Sequence, residues 1–113
     1  MNSSYIPQRQ DIVWIDFGPS AGKDIQKRRP ALVVSNKNYS RRTGFVAVCP
    51  ITHGQAKLRE KGLLVPVHSK KVDGAVNPFQ LHTFDFKARH IEKIAELDDQ
   101  EFAIVKQLIT FIF

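Results

Sequence analysis

Lys27-Arg28-Arg29 is a run of fixed positive charge that leads directly into Pro30-Ala31-Leu32-Val33-Val34-Ser35. A guanidinium stays charged at any working pH and offers a planar fork of donors that fits the oxygens of a phosphate. Pro30 fixes its own φ and pushes Arg29 toward extended geometry. The β-branched residues behind it anchor a strand in a core. Arg29 is thereby set where a loop meets a rigid strand, which suits a catalytic or phosphate-holding group. The same residues also read as a solvated basic loop before a buried strand. From these residues alone both readings stand.

The charge of the whole chain favours an anionic partner. Its formal net charge is +6, and residues 1–71 carry 13 Lys/Arg against 4 Asp/Glu, whereas residues 72–113 carry 4 against 7. A basic front half is the footprint expected for a polyanion. No basic amphipathic helix points to an anionic membrane surface, and no apolar run is long enough to span a bilayer, so nucleic acid ranks first and a membrane is not expected. Lys57, Arg59, Lys61, Lys70 and Lys71 extend the basic character and can touch a nucleic-acid backbone, or simply form a solvated face.

The other chemistry-bearing residues are sparse. His53, His68, His82 and His90 are widely spaced, with no i, i+4 pair and no carboxylate cluster, so no metal site is expected. His53 follows Thr52 and can shuttle a proton, although strand alternation turns it away from Thr52. His82, two residues after Gln80, can line a groove for RNA. Tyr39, Phe79 and Phe84 can stack on bases if exposed, with core packing as the alternative for both Phe residues. The single cysteine, Cys49, lies inside Phe45-Val46-Ala47-Val48-Cys49. It excludes an intrachain disulfide, reads as a buried reduced thiol suited to the cytosol, and makes a poor nucleophile.

These residues need a scaffold that 113 residues can supply as one domain with one core. Residues 1–10 read as a loose end. Residues 11–17, rich in β-branched and aromatic side chains, predict a first strand ended by Gly18-Pro19. Residues 18–29 form a long loop, and 31–35 a second strand. Residues 36–44 are a polar connection with room for one helical turn. A third strand spans 45–52, a second basic loop 53–61, and a fourth strand 63–67. Asp73-Gly74 turns the chain into a strand over 75–81, and 89–96 alternates like a half-exposed strand. Asp98 and Glu101 have the spacing of a helix cap and its third-position partner. The helix that follows has too wide an apolar surface for one stripe: one face can cover the sheet and the other can meet a second subunit, unless the barrel buries both. The expected fold is mainly β, an α+β domain built as a small SH3-like β-barrel with a C-terminal α-helix.

Asp11-Ile12-Val13-Trp14-Ile15-Asp16-Phe17-Gly18-Pro19 through Gly22 resembles the opening strand and glycine loop of the MazF/PemK toxins. Arg29-Pro30-Ala31-Leu32-Val33-Val34-Ser35 resembles their Arg-Pro-led second strand, Cys49-Pro50-Ile51-Thr52 their Pro-x-Thr element, and Phe79-Gln80 and Lys87-Ala88-Arg89 later landmarks. The resemblance runs from about residue 5 to the C-terminus. It implies a homodimeric endoribonuclease toxin of a toxin–antitoxin module that cuts single-stranded RNA without metal or other cofactor. It also implies an acidic MazE/PemI-like antitoxin as partner and a cytoplasmic place of action.

By that resemblance the catalytic pair falls on Arg29 and Thr52, and Asp24 falls near a position where many members have Glu. Lys27, Arg28, His53, Lys57, Asn77, Phe79, Gln80 and His82 complete the expected RNA-contacting set. The chemistry fits, because RNA carries its own nucleophile in the 2′-hydroxyl. A guanidinium aimed at the phosphoryl oxygens stabilises the charge of the transition state, and a Thr hydroxyl can donate to a non-bridging oxygen. Arg at its normal pKa is a poor base, so proton transfer lacks an obvious agent. Many members have Asp immediately before the Gln that aligns with Gln80, and some have Arg two positions earlier still. Phe79 and Asn77 stand in those places here, which implies a different base preference. The competing functions are a non-enzymatic barrel toxin that poisons a protein such as DNA gyrase, as CcdB-type toxins do, and a plain SH3-like RNA- or peptide-binding module. Arg29 and Thr52 together argue against the first.

Overall fold

The computed structural model describes residues 4–18, 27–54 and 56–113. Its elements run β1 (Asp11–Asp16), β2 (Arg28–Val33), α1 (Lys37–Thr43), β3 (Phe45–Thr52), α2 (Ala56–Glu60), β4 (Val65–Pro66), β5 (Ala75–Val76), β6 (His82–Asp85), β7 (Glu92–Glu96) and α3 (Asp99–Ile109). The strands join in one antiparallel sheet in the order β4-β5-β3-β2-β1-β7, and β6 pairs with β3 off that path. The curled sheet and the C-terminal helix match the expected mainly-β class.

Alternation along the strands divides the core in two. Ile12, Leu32, Cys49, Ile51 and Val76 pack on one face of the sheet, under Phe102 and Val105 of α3. Val13, Ile15, Ala31, Val33, Val46, Val48 and Phe86 pack on the other. Successive strand residues point to opposite faces, so each strand feeds both clusters. Fully burying a side chain such as Phe102 or Val105 contributes about 1.5–3 kcal/mol. Asp98 caps α3 as the spacing predicts, accepting from the backbone N–H groups of Gln100 and Glu101 at 3.1 and 3.4 Å.

Two prolines set the limits of pairing around the site. The β2–β3 ladder runs only from Ala31 to Val33 and stops at Pro30, which brings no N–H. Pro50 lies where β3 changes partner on one side. Residues 45–48 pair with β6, Ile51 and Thr52 pair with β5, and the chain between them bridges the gap through an Asn77 N–H donated to the Pro50 carbonyl at 3.0 Å.

Several sequence expectations are corrected. The second strand begins at Arg28, so Arg28 and Arg29 are strand residues; pairing with β1 carries the strand past Pro30 even though pairing with β3 does not. The fourth strand shrinks to Val65–Pro66 and the 75–81 strand to Ala75–Val76, because the buried turn around Asn77 and Pro78 breaks the latter and restarts it as β6. The 36–44 connection holds the full helix α1, capped by Asn36 and ended by Gly44 at φ 79°, where a side chain is disfavoured. The 53–61 loop contains α2. The final strand starts at Glu92.

The N-terminal segment is not loose over its described part. Tyr5 donates its hydroxyl to buried Asp11, Pro7 is fully buried, and the Gln10 side chain donates to the Leu97 carbonyl at 2.7 Å and to Asp99 at 2.6 Å.

Candidate active site

Arg28 and Arg29 take opposite faces of β2 because they are consecutive in a strand. Arg28 lies across from Asp16 of β1 and bonds it at 3.1 Å, with a second nitrogen 3.1 Å from Glu92 of β7. Asp16 also receives His90 at 2.8 Å. Burial pushes the Asp16 carboxyl up, but the hydrogen bonds from His90 and Arg28 outweigh it and hold the group below its ordinary value. Arg28 is thus a strut between β1, β2 and β7.

Arg29 lies across from Ile15 and projects from the other face. It is exposed and has no ion pair or hydrogen bond among the described residues. Its guanidinium carbon stands 6.0 Å from the centre of the Phe17 ring. With Lys27, Phe17, Gly18, Pro50, Gln80 and His82 it lines a cleft of about 360 Å³. Of the residues expected to contact RNA, Lys27, Gln80 and His82 therefore join Arg29 in one place.

The His82 ring is set by two aromatic neighbours. It meets Phe17 edge-on with centroids 5.2 Å apart, and stacks on Phe84 at 5.6 Å and 14°. Phe84 in turn carries Arg89, whose guanidinium carbon is 4.6 Å from its ring centre. Arg89 also donates to the carbonyls of Asp16 and Gly18, which fixes the start of the 18–27 connection. Burial, then the charge of Arg29, lowers the His82 pKa below the usual imidazole value.

Thr52 ends β3 and does not line this cleft. Ala31 pairs with Pro50, and Arg29 and Thr52 each lie two residues beyond that pair, on the same face of the sheet. The Thr52 hydroxyl oxygen is shielded from solvent and has no hydrogen-bond partner among the described residues. A buried donor without a partner costs about 1–3 kcal/mol, and such groups mark strained or functional positions. Gly74, just before β5, presses on Thr52. A Cβ on Gly74 would lie 2.9 Å from the Thr52 carbonyl oxygen, and its φ of 132° suits only glycine.

The remaining expected contacts lie elsewhere. Asn77 is 1% exposed, and its side chain accepts from the Phe79 N–H at 3.0 Å within the turn that leads to Gln80. Phe79 is half-buried and stacks on Phe111, centroids 6.2 Å apart. His53 is exposed and bonds Asp73 at 3.2 Å, and Lys57 is exposed on α2. Asp24 lies outside the described residues. The sequence reading quotes Phe17 and Pro50 only within motifs and Gly74 only as a turn residue, and assigns none of them to the site. Phe17 carried the available signal, since it lies two residues beyond core Ile15 and directly before Gly18.

Among the described residues no three His, Cys, Asp or Glu converge as metal donors, and no helix is long and apolar enough to cross a membrane. Burial pushes the Cys49 thiol up to about 12, which keeps it inert.

Residues 8–113 match the family described as PemK-like, MazF-like toxin of type II toxin-antitoxin system. The chain is 28% identical over 114 residues to the endoribonuclease toxin MazF of Escherichia coli strain K12, covering 99% of this chain and 98% of that one. It is 35% identical over 96 residues to the endoribonuclease toxin ChpB of the same strain, covering 82% of each. The crystal structure of MazE-MazF from Deinococcus radiodurans superposes with a TM-score of 0.78 at 26% identity, over 96% of each chain. A curled antiparallel sheet with a C-terminal helix, an Arg-Pro strand opening on a cationic cleft, and full-length relatives converge on one conclusion: the chain belongs to the PemK/MazF family of endoribonuclease toxins from type II toxin–antitoxin systems.

Proposed function

We propose that this protein cuts single-stranded RNA at selected sequences, without a metal ion, through attack of the 2′-hydroxyl on the adjacent phosphorus. The products are a 2′,3′-cyclic phosphate and a 5′-hydroxyl end. The observation that carries this reading is Arg29. Its side chain lines a cleft of about 360 Å³ with Lys27, Gln80 and His82 and has no carboxylate partner among the described residues. Fixed donors aimed at developing oxyanion charge are worth about 10²–10³ in rate each. Thr52, on the same face, offers a hydroxyl without a competing partner among the described residues, and Lys27 adds charge for the RNA backbone. Purified protein incubated with a long single-stranded RNA in EDTA tests the reading. Discrete cuts ending in cyclic phosphate support it; intact RNA removes it, and cuts that appear only with added Mg²⁺ remove the metal-free step.

The proposed partners follow from charge and apolar surface. The basic front half and an Arg29 without an ion pair among the described residues suit an acidic antitoxin segment laid over the cleft, and a relative has been crystallised as a MazE-MazF pair. A second copy is the proposed cover for the far end of α3. There Ile104, Phe111, Ile112 and Phe113 are exposed beside an apolar cavity of about 430 Å³ lined in part by Val34, Leu81 and Ile109. Light scattering that gives the mass of one chain would remove the dimer. The proposed place of action is the cytoplasm, which suits the unpaired thiol of Cys49.

A further inference from the structure

We propose that His82 is the group that takes the proton from the attacking 2′-hydroxyl. This rests on the reading of the Arg29 cleft as the place where RNA is cut, and it supplies the acceptor that a guanidinium cannot provide.

The four histidines of the chain divide three to one. His53 is held by Asp73, His68 by Glu101 and His90 by Asp16. In each of these three a ring nitrogen is already committed to a carboxylate, and none of them lines the Arg29 cleft. His82 alone has no carboxylate and no hydrogen bond among the described residues, and it alone lines the cleft with Arg29.

Three cationic groups stand near it, and of these Arg29 acts on its charge. Lys27 and Arg29 share the cleft, and Arg89 lies over the Phe84 ring on which His82 stacks. Partial burial and the Arg29 charge together lower the pKa of the ring, so His82 is neutral at neutral pH and one nitrogen is ready to accept. The aromatic packing has a geometric effect as well. Phe17 and Phe84 hold the plane of the imidazole from the side and from below, so the ring does not have to be ordered when RNA arrives.

The step balances as follows. An imidazole nitrogen takes the 2′-hydroxyl proton, and the electron pair left on O2′ forms the bond to phosphorus. The P–O5′ bond breaks and its pair leaves with O5′, which takes a proton from water. The hydroxide so formed removes the proton from the imidazolium and restores the neutral ring. Arg29 stabilises the phosphoryl oxygens throughout.

Single-turnover cleavage of a defined single-stranded RNA in EDTA at subsaturating protein, where the rate reports the free protein's groups, measured against pH, tests this. The wild-type rate is expected to fall on the acid side with a midpoint below the ordinary imidazole value of 6.5. That midpoint should coincide with the titration of the His82 ring followed by NMR. His82→Gln keeps a hydrogen-bonding side chain but cannot accept the proton; it should lose about 10²–10⁴-fold in rate and lose the acid limb. Added imidazole should restore part of the rate in His82→Ala, and His68→Gln should keep the wild-type profile. A His82→Gln enzyme with wild-type rate, or with the acid limb intact, overturns the proposal. If the substituted proteins do not fold, a mismatch between the wild-type rate midpoint and the His82 titration overturns it. Wild-type protein that cuts no RNA removes the underlying site reading instead, so the two failures are distinguishable.

Discussion

Arg28 and Arg29 are adjacent in sequence and opposite in role, because Arg28 faces Asp16 and Glu92 while Arg29 faces the cleft across from Ile15. Arg29→Ala should abolish cleavage and leave the melting temperature nearly unchanged, since its exposed side chain makes no hydrogen bond or ion pair among the described residues and meets the Phe17 ring only at 6.0 Å. Arg29→Lys should also fail, because an ammonium does not reproduce the fork. Arg28→Ala should keep the cutting rate and lose about 0.2–1 kcal/mol of stability, as partly exposed ion pairs do. Denaturation and cleavage assays on the three proteins check this; a fully active Arg29→Ala would contradict it.

Thr52→Val should separate stability from activity. The substitution deletes a shielded hydroxyl that has no partner among the described residues, so stability should hold or rise while cleavage collapses. Gly74→Ala should act on the same strand end through the backbone, where the new Cβ would meet the Thr52 carbonyl at 2.9 Å and the residue would keep a φ of 132°. It should destabilise by about 1–3 kcal/mol, read by urea unfolding. A Thr52→Val protein that cuts normally would remove Thr52 from the chemistry.

His68 ties the segment after β4 to Glu101 in the first turn of α3. The hydrogen bond that the His68 ring donates to Glu101, then the charge of that carboxylate, raises the His68 pKa above its unfolded value of 6.5. A raised histidine contributes stability that is fully present below the unfolded pKa and is lost as pH rises through the folded one. His68→Ala should therefore lower the melting temperature near pH 6, and the gap should close at alkaline pH. A gap that is constant with pH would show that the ion pair contributes nothing.

Phe79 is expected to act through the fold. It does not line the Arg29 cleft, and it stacks on Phe111 just beyond α3. Phe79→Ala should cost about 0.5–1.5 kcal/mol beyond the lost burial and change the cleavage rate no more than a few fold. Lost cutting in a protein of undiminished stability would place Phe79 against the RNA instead.

The parts of the fold that local pattern determines were legible. The 45–52 strand has the predicted bounds, because a continuous apolar run between a glycine and a polar loop admits little else. The Asp98 cap was equally plain. Residues 63–85 were harder, since their path depends on which stretch of β3 each short strand meets. Asn77 illustrates the difficulty: a polar side chain between Val76 and Pro78 reads as surface, yet it is buried because a backbone N–H two residues on needs its oxygen. The same limit applies to the site. Arg29 announced itself through its proline, whereas its meeting with His82 is made by β3, the strand that both β2 and β6 pair with.

That arrangement has a consequence during synthesis. The cleft needs Phe17 and Arg29 from the first third of the chain and Gln80 and His82 from the last. β3 waits for β5 and β6 along one side, and β1 waits for β7. Contacts so distant in sequence close slowly, and none can close before the later strands have left the ribosome. A nascent chain therefore carries Arg29 without the cleft around it until the segment with Gln80 and His82 has been made, so the product of a messenger cannot cut while that segment is still untranslated.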